Sequence, residues 1–318
     1  MKKLLAVLLT LLLLAGCAGG SEGSSEPSEE EKVFHVGILQ LLPHEALDAA
    51  TQGFKDALKE KLGDRVVFDE QNAAGEASNC SIIANQFVAD GVDLIFANAT
   101  PALQAASTAT AEIPIVGTSV TSFKVALNMN DWNGTTGINV TGTSDLAPLD
   151  QQAAQVLEIQ PEAEKVAIFF CSAEPNSVFQ AEEIEKELAK LGLETQRFTF
   201  ADSNDIASVA ASASDWGDVV YIPTDNTAAS YASEEQFFKP AVVGEAGICK
   251  KVGCVTVSIA YYDIGFRAGE MAFEILENGA DPSTMKVEEV SKTTKMWNPD
   301  ICGKYYITVS DDYVSVFD

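Results

Sequence analysis

The sequence is poor in positive charge and in the residue types that perform nucleophilic catalysis or bind metals. It has 20 Lys and Arg against 47 Asp and Glu, a formal net charge of −27, and only two histidines, His35 and His44. A chain this acidic lacks the positive potential that nucleic acids and anionic lipid headgroups require, so neither is expected as a partner. No P-loop, no H-E-x-x-H and no G-x-G-x-x-G motif occurs, and no G-x-S-x-G sequence follows a predicted strand as a nucleophile elbow would. These absences argue against an enzyme, and no cofactor is expected.

Cysteine is present, but its spacing indicates no metal site. Apart from Cys17 near the N-terminus there are five cysteines, an odd number without C-x-x-C spacing. Cys249 and Cys254 could pair if their strands bring them together, and isolated buried thiols are the alternative. The five are Cys80, Cys171, Cys249, Cys254 and Cys302.

The chain has one long, almost unbroken apolar run, Leu4 to Leu14, which follows Lys2 and Lys3. Because a membrane-spanning helix needs roughly 20 apolar residues, a run this short is typical of a signal-peptide core. The Leu-Ala-Gly-Cys sequence that closes it at Cys17 resembles a bacterial lipobox. This resemblance implies cleavage before Cys17, a lipid on its thiol, and an extracytoplasmic protein anchored to the cell membrane. The alternative is an ordinary cleaved signal in which Cys17 is incidental.

Residues 1–17 are therefore predicted to be a lipoprotein signal peptide and residues 18–32 a tether. The tether consists mainly of Gly, Ser and Glu and has no apolar periodicity, so it cannot bury enough surface to order itself. The remaining chain, from Val33 onward, is long enough for two domains of ordinary size.

From Val33 onward, short β-branched runs alternate with amphipathic segments of helical length. Val33 to Leu39 is predicted to be a strand and Ala46 to Leu62 the helix after it, and Val92 to Ala97 is another strand. Strands that alternate with helices in this way indicate an α/β protein with parallel sheets covered on both faces.

The alternation restarts after a short extended link at Gly137 to Val140, with Asp145 expected to begin a new helix. Two successive open α/β units predict two lobes. A lone late helix, Gly265 to Glu277, is expected to pack back on the first lobe, so that the chain crosses between lobes more than once and forms a hinge. The predicted lobes are 33–140 plus 259–287, and 141–258 plus 288–318.

Several segments together carry a family likeness. Val36 to Gln40, followed by Pro43 to Asp48, resembles the opening of ABC-type substrate-binding proteins related to tryptophan- and tyrosine-binding lipoproteins. Similar segments fall at 71–73, 99–102, 118–121, 139–142, 144–148, 174–177, 223–227 and 261–265. The resemblance implies a two-lobed type I periplasmic-binding-protein fold with a three-crossover hinge, an aromatic amino acid as ligand and an ABC permease as partner. The chain departs from the family pattern at Pro43, Glu45, Ser122 and Phe123, which flank the expected cleft.

Residues at the predicted strand ends of the first lobe are candidates for binding a ligand carboxylate. Thr100 fits a helix N-cap and Pro101 the first helical position, and a helix N-terminus offers N–H groups to an anion. A simple cap is the alternative reading of Thr-Pro. A hydroxyl-rich turn follows the fourth strand and could converge on the same group. Its members are Thr118, Ser119, Val120 and Thr121.

Residues of the second lobe are candidates for binding an ammonium group. Asp225 and Asn226 follow a predicted strand, and Asp225 is the first candidate for an ion pair with the amine, with Glu245 as the second acidic candidate. An N-cap is the alternative role for Asp225. Glu174 and Asn176, at another strand end, are expected to close over the ligand backbone.

Gln40 and His44 follow the first strand, and either could lean over the ligand; a structural role is the alternative for a lone histidine. Phe123, Trp132 and Trp216 could form aromatic walls, but buried aromatics are usually core, and the two tryptophans are excluded from the predicted site.

The sequence thus predicts an extracytoplasmic solute-binding lipoprotein of an ABC importer, a monomer that closes by a hinge around a small molecule. Two alternatives remain open. The same fold could bind a branched-chain amino acid, a nucleoside or a sugar, or it could serve a surface sensory module.

Overall fold

The computed structural model describes residues 32–289 and 292–318. The predicted signal peptide at 1–17 and almost all of the tether at 18–32 lie outside these residues. In the described part of the chain, no helix is both long enough and apolar enough to cross a membrane.

The first half of the chain forms a parallel five-stranded sheet in the order β2-β1-β3-β4-β5. Its strands are β1 (Phe34–Gln40), β2 (Val66–Asn72), β3 (Leu94–Asn98), β4 (Ile115–Val120) and β5 (Val140–Ser144). The helices of this half are α1 (Glu45–Leu62), α2 (Ala77–Asp90), α3 (Thr100–Ala109) and α4 (Phe123–Ala126). Strands β3, β4 and β5 are buried along their whole length because helices cover the sheet on both faces.

The second sheet has seven strands in the order β12-β11-β10-β9-β8-β6-β7. They are β6 (Lys165–Cys171), β7 (Glu194–Phe200), β8 (Val219–Ile222), β9 (Ala241–Val243), β10 (Val255–Ser258), β11 (Thr294–Trp297) and β12 (Val314–Ser315). Among these, β11 runs antiparallel to β10 and the other pairs are parallel. The remaining helices are α5 (Leu149–Ile159), α6 (Pro175–Lys190), α7 (Ile206–Trp216), α8 (Asn226–Tyr231), α9 (Ala246–Lys251), α10 (Tyr261–Leu276) and α11 (Pro299–Lys304). The predicted α/β class with parallel sheets is confirmed.

Helix α10 follows the second sheet in the chain but packs on the first, against α1. The two helices approach closely because glycines face the contact. A Cβ added to Gly265 would lie 1.9 Å from the Ala50 carbonyl oxygen, and one added to Gly53 would lie 2.2 Å from that of Tyr262. The late helix therefore returns to the first sheet, as its sequence position indicated.

The chain crosses between the sheets three times in the described residues. The first crossing follows β5 and the second lies between β10 and α10. The third lies between Glu288, which still bridges to Thr143 of β5, and β11. The predicted lobe boundary at 140/141 falls inside β5, whose residues up to Ser144 pair with β4. Strand β5 has the sequence Val-Thr-Gly-Thr-Ser, and its small hydroxyl side chains lack the apolar run that marks the other strands. The predicted link at Gly137 to Val140 overlaps β5 only at Val140, and this composition is why the sequence indicates no strand at 141–144.

Candidate ligand-binding cleft

Polar residues are concentrated at the carboxyl ends of the parallel strands in both sheets. In the first sheet, Gln40 and Asn98 end β1 and β3, and Ser119 is the penultimate residue of β4. In the second sheet, Asp225 and Glu245 follow β8 and β9 within three residues. Open α/β sheets bind ligands at these ends. The cleft between the two sets of strand ends is therefore the candidate site.

Direct contacts join the two sides of this cleft. His44 Nε2, from the loop after β1, lies 3.1 Å from Asn226 Oδ1 at the start of α8. Gln180 Nε2, on α6, donates a hydrogen bond to Thr121 Oγ1 at 3.3 Å. The structure thus has a closed cleft, in which both sides can contact one small molecule at the same time.

Several side chains around the cleft have buried polar atoms without a hydrogen-bond partner in residues 32–289 and 292–318. Buried polar groups are normally paired, so a group of such atoms indicates a place where a polar molecule binds. The set contains two hydroxyls that can donate, three oxygens that accept, and one imidazole nitrogen. We call the following the open polar atoms: Thr100 Oγ1, Ser119 Oγ, Asn98 Oδ1, Asp145 Oδ1, Asn176 Oδ1 and His44 Nδ1.

Thr100 lies two residues after β3 and Ser119 lies in the neighbouring strand β4, since Asn98 of β3 pairs with Thr118 of β4. The N-cap of α3 is Ala99 and not Thr100, which is the first helical residue, so the prediction of Thr100 as a cap is wrong. Because the Thr100 hydroxyl does not cap the helix, it is available to a ligand. Ala99 has a φ of 94° and Ser119 a φ of 53°, both strained for residues with a Cβ, and such strain is often found at binding sites.

The other predicted residues of the first sheet have internal contacts. Thr118 Oγ1 lies 2.8 Å from a threonine hydroxyl of β5, and Val120 belongs to the hydrophobic core. Pro101 is buried in the first turn of α3. Gln40 accepts a hydrogen bond from Thr51 Oγ1 at 2.6 Å, which orients it within the first sheet and away from the role of leaning over a ligand.

Glu174 organises the second side of the cleft. Its Oε2 accepts hydrogen bonds from the backbone N–H and Nδ2 of Asn226, and its Oε1 accepts from the backbone and hydroxyl of Thr227. Asn176 Nδ2 also donates to Glu174, at 3.2 Å. Glu174 therefore holds the start of α8, and it sets the orientation of both asparagine amides.

Asp225 and Glu245 both cap helices. Asp225 accepts from the N–H groups of Ala228 and Cys171, each at 2.7 Å, and burial, followed by the charge of Glu174, raises its pKa to about 8. The two oxygens of Glu245 accept from the N–H groups of Gly247 and Ile248 in the first turn of α9, and burial raises the pKa of Glu245. The structure thus gives Asp225 the capping role that the sequence had left open as the alternative.

Asp145 is a cleft residue that the sequence analysis missed. It is 3% exposed, it directly follows β5 at the first crossover, and its Oδ2 accepts a hydrogen bond from Tyr261 at 3.1 Å. Burial, opposed by hydrogen bonding from Thr121 and then from Tyr261, raises its pKa to about 6. The available signal is an aspartate directly after a strand, but the sequence indicates no strand at 141–144 and predicts a helix that begins at Asp145, whereas α5 begins at Leu149.

The aromatic candidates have different surroundings. Phe123 is 2% exposed and belongs to the core of the first sheet, whereas Trp216 packs against Phe198 with ring centroids 5.8 Å apart. Trp132 lines an open cavity of about 370 Å³ together with Thr121 and Phe123. Its exclusion from the site remains a prediction.

The cysteines and acidic residues do not form a metal site in the described ranges, where no group of three potential ligands is arranged to hold an ion. All five described cysteines are buried free thiols, so the structure shows no bond between Cys249 and Cys254.

Comparisons with known proteins agree on one family. The profile of the family described as ABC transporter substrate binding protein matches residues 35–316. A tyrosine-binding protein of Clostridioides difficile (strain R20291) is 32% identical over 311 residues, which are 93% of this chain and 89% of that protein. A solved structure from Streptococcus pneumoniae in complex with L-Trp is 30% identical and has a TM-score of 0.83, covering 88% of this chain and 97% of that one.

A ligand-free, open substrate-binding protein with adhesive properties from Clostridium difficile superposes less well. It has a TM-score of 0.67 at 32% identity, covering 89% of this chain and 99% of that one. The better superposition on the complex with L-Trp agrees with the closed cleft described above. These neighbours confirm the predicted type I periplasmic-binding fold, and a family profile that spans most of the sequence shows the family, whose members bind substrates and are not enzymes. The chain belongs to the ABC transporter substrate-binding proteins.

Proposed function

We propose that this protein binds an aromatic amino acid in the cleft between the two sheets and presents it to the permease of an ABC importer. The proposal rests on the open polar atoms, which offer donors for a carboxylate and acceptors for an ammonium group within one closed cleft. Two relatives, the tyrosine-binding protein and the structure in complex with L-Trp, support an aromatic side chain.

The ligand carboxylate is expected at the start of α3. Thr100 Oγ1 and Ser119 Oγ can both donate hydrogen bonds there. No side chain of the described chain caps this ten-residue helix, so its first N–H groups and the positive end of its dipole are also available to an anion.

The ligand ammonium group is expected beside Asn176 Oδ1 and Asp145 Oδ1, both of which are acceptors. Glu174 lies next to Asn176 and adds negative potential. Asp225, the predicted partner of the amine, supports this site indirectly, because its oxygens hold α8 and the end of β6 in place.

Closure of the cleft is the conformational step that a permease would recognise. Proteins of this family act outside the cytoplasm, and the predicted signal peptide and lipobox at residues 1–17 would anchor the protein to the membrane. We expect a monomer. Replacing Cys17 by alanine is expected to release the protein from the membrane fraction, and retention of the variant would contradict the lipid anchor.

Calorimetric titration of the purified protein, stripped of bound ligand by unfolding and refolding, tests the ligand. We expect Trp, Tyr or Phe to bind with micromolar or tighter affinity. Thr100→Ala and Ser119→Ala should each weaken binding about tenfold to hundredfold, since each removes a hydrogen bond to a charged group. Ser208→Ala, on the exposed face of α7, is the matched control. Tight binding of a different solute, with no binding of these three, would refute the proposal.

A further inference from the structure

A small cavity of about 100 Å³ lies between the loop after β1 and helices α8 and α9. Two polar atoms on its wall are buried and lack partners in the described chain, namely His44 Nδ1 and Ser230 Oγ. The rest of the wall includes Ala229, Glu245 and Lys251. The cavity therefore has walls from both sides of the cleft.

The hydrogen-bond network decides the chemistry of His44 Nδ1. Asn226 Nδ2 donates to Glu174 at 2.6 Å, and because a carboxylate only accepts, the orientation of the Asn226 amide is set. Asn226 Oδ1 therefore faces His44 Nε2, which must carry the proton of their 3.1 Å contact. In the neutral imidazole, Nδ1 is then a hydrogen-bond acceptor.

The other walls narrow the choice of occupant. Ser230 Oγ can donate as well as accept. Glu245 disfavours an anion, and the Lys251 ammonium group already donates to the backbone carbonyls of Ala229 and Ser230. The cavity therefore suits a neutral group that donates one hydrogen bond and accepts another, which is the chemistry of a hydroxyl.

The size and place of the cavity agree with the end of an aromatic amino acid. At about 30 Å³ for each water molecule, it holds a hydroxyl and one or two waters, but not a phenyl or indole ring. Strand β1, which ends four residues before His44, and β4, which contains Ser119, are two places apart in the sheet, a separation of about 10 Å between the strands. An aromatic amino acid spans such a distance from its carboxylate to the far end of its ring.

We propose that this cavity, the hydroxyl subsite of His44 and Ser230, receives the phenolic hydroxyl of the ligand, so that the protein selects tyrosine. The phenol donates to His44 Nδ1 and accepts from Ser230 Oγ. Phenylalanine offers these two atoms neither a donor nor an acceptor and leaves them to water, and an indole N–H can satisfy only His44. This inference rests on the proposed binding of an aromatic amino acid.

The test measures dissociation constants for Tyr, Phe and Trp by calorimetry, with the ligand-free protein and its Ser230→Ala variant. We expect the unmodified protein to bind Tyr at least about tenfold more tightly than Phe. Ser230→Ala should lower the ratio of the Tyr affinity to the Phe affinity at least about threefold. The variant should bind Tyr more weakly, while its affinity for Phe stays within about twofold of that of the unmodified protein. The unchanged affinity for Phe also shows that the variant is folded, and Ser212→Ala, exposed on α7, is the control.

Equal affinities for Tyr and Phe in the unmodified protein would overturn the subsite, as would a ratio that Ser230→Ala leaves unchanged. Either result would leave the proposed function standing, because aromatic amino acids would still bind. If none of the three binds, the proposed function itself fails, and the subsite fails with it.

Discussion

Replacing Asp145 by asparagine should change how the stability of the ligand-free protein depends on pH. Asp145 is 3% exposed and sits at the first crossover, where Tyr261 donates to it at 3.1 Å. Burial raises its pKa in the folded protein from 3.8 to about 6. Asparagine has nearly the same shape but cannot ionise, so the difference between the two proteins isolates this carboxyl group.

The direction of the change in stability with pH follows from the raised pKa of Asp145. The folded state holds the proton more tightly than the unfolded state, so the stabilisation from Asp145 is fully present below pH 3.8 and is lost as the pH rises through about 6. At about 1.4 kcal/mol per pH unit the total loss is about 3 kcal/mol, of which about 2 kcal/mol falls between pH 4 and pH 7.

Urea unfolding of both proteins across this pH range measures the effect. The free energy of unfolding of the unmodified protein, minus that of Asp145→Asn, should fall by about 2 kcal/mol from pH 4 to pH 7. Asp218→Asn is the control. Hydrogen bonds from the backbone of Glu164 and Lys165 lower the pKa of Asp218, so its contribution to stability is lost mainly below about pH 4 and should change little, and in the opposite direction, between pH 4 and pH 7. A difference for Asp145→Asn that does not change with pH would refute the reasoning.

Three further predictions concern packing, closure and thiols. Gly265→Ala should destabilise the protein by about 1–3 kcal/mol in urea unfolding, because the new Cβ would meet the Ala50 carbonyl 1.9 Å away. Gly303→Ala is the control and should not destabilise the protein, because a Cβ at Gly303 meets nothing within 4 Å. Lys250→Ala removes an exposed ion pair with Glu45 across the cleft rim, so calorimetry should show ligand affinity falling less than about fivefold, and high salt should erase the difference. The five buried thiols should react with dithionitrobenzoate only in denaturant, and reaction in the native protein would contradict the structure.

Much of the fold could be predicted from local patterns, because strands and helices buried against each other leave a period in the sequence. Strand β3 and helix α1 lie within a few residues of their predicted positions. Strand β5 escaped detection because Thr141, Thr143 and Ser144 are polar in the sequence yet buried in the structure, where backbone carbonyls or other hydroxyls pair with them. Because β5 is not recognised in the sequence, Asp145 is not recognised as a residue at the end of a strand.

The candidate site was predictable only in outline. Polar residues at strand ends marked the cleft, but a capping aspartate and a ligand-binding aspartate have the same local sequence. Asp225 proved to cap a helix, whereas Thr100, expected as a cap, has an open hydroxyl. The difference depends on which backbone N–H groups the folded chain brings to each side chain.

The sequence by itself determined the α/β class and the family, because hydrophobic periodicity and the order of short segments are local properties that survive without a folded structure. Only the tertiary structure decided which polar atoms are paired and which are open. His44 and Asn226 are 182 residues apart, and the orientation of each depends on Glu174, a third distant residue. Hydrogen-bond pairing is a property of the whole fold, and it is this pairing that leaves a donor and an acceptor free for a ligand.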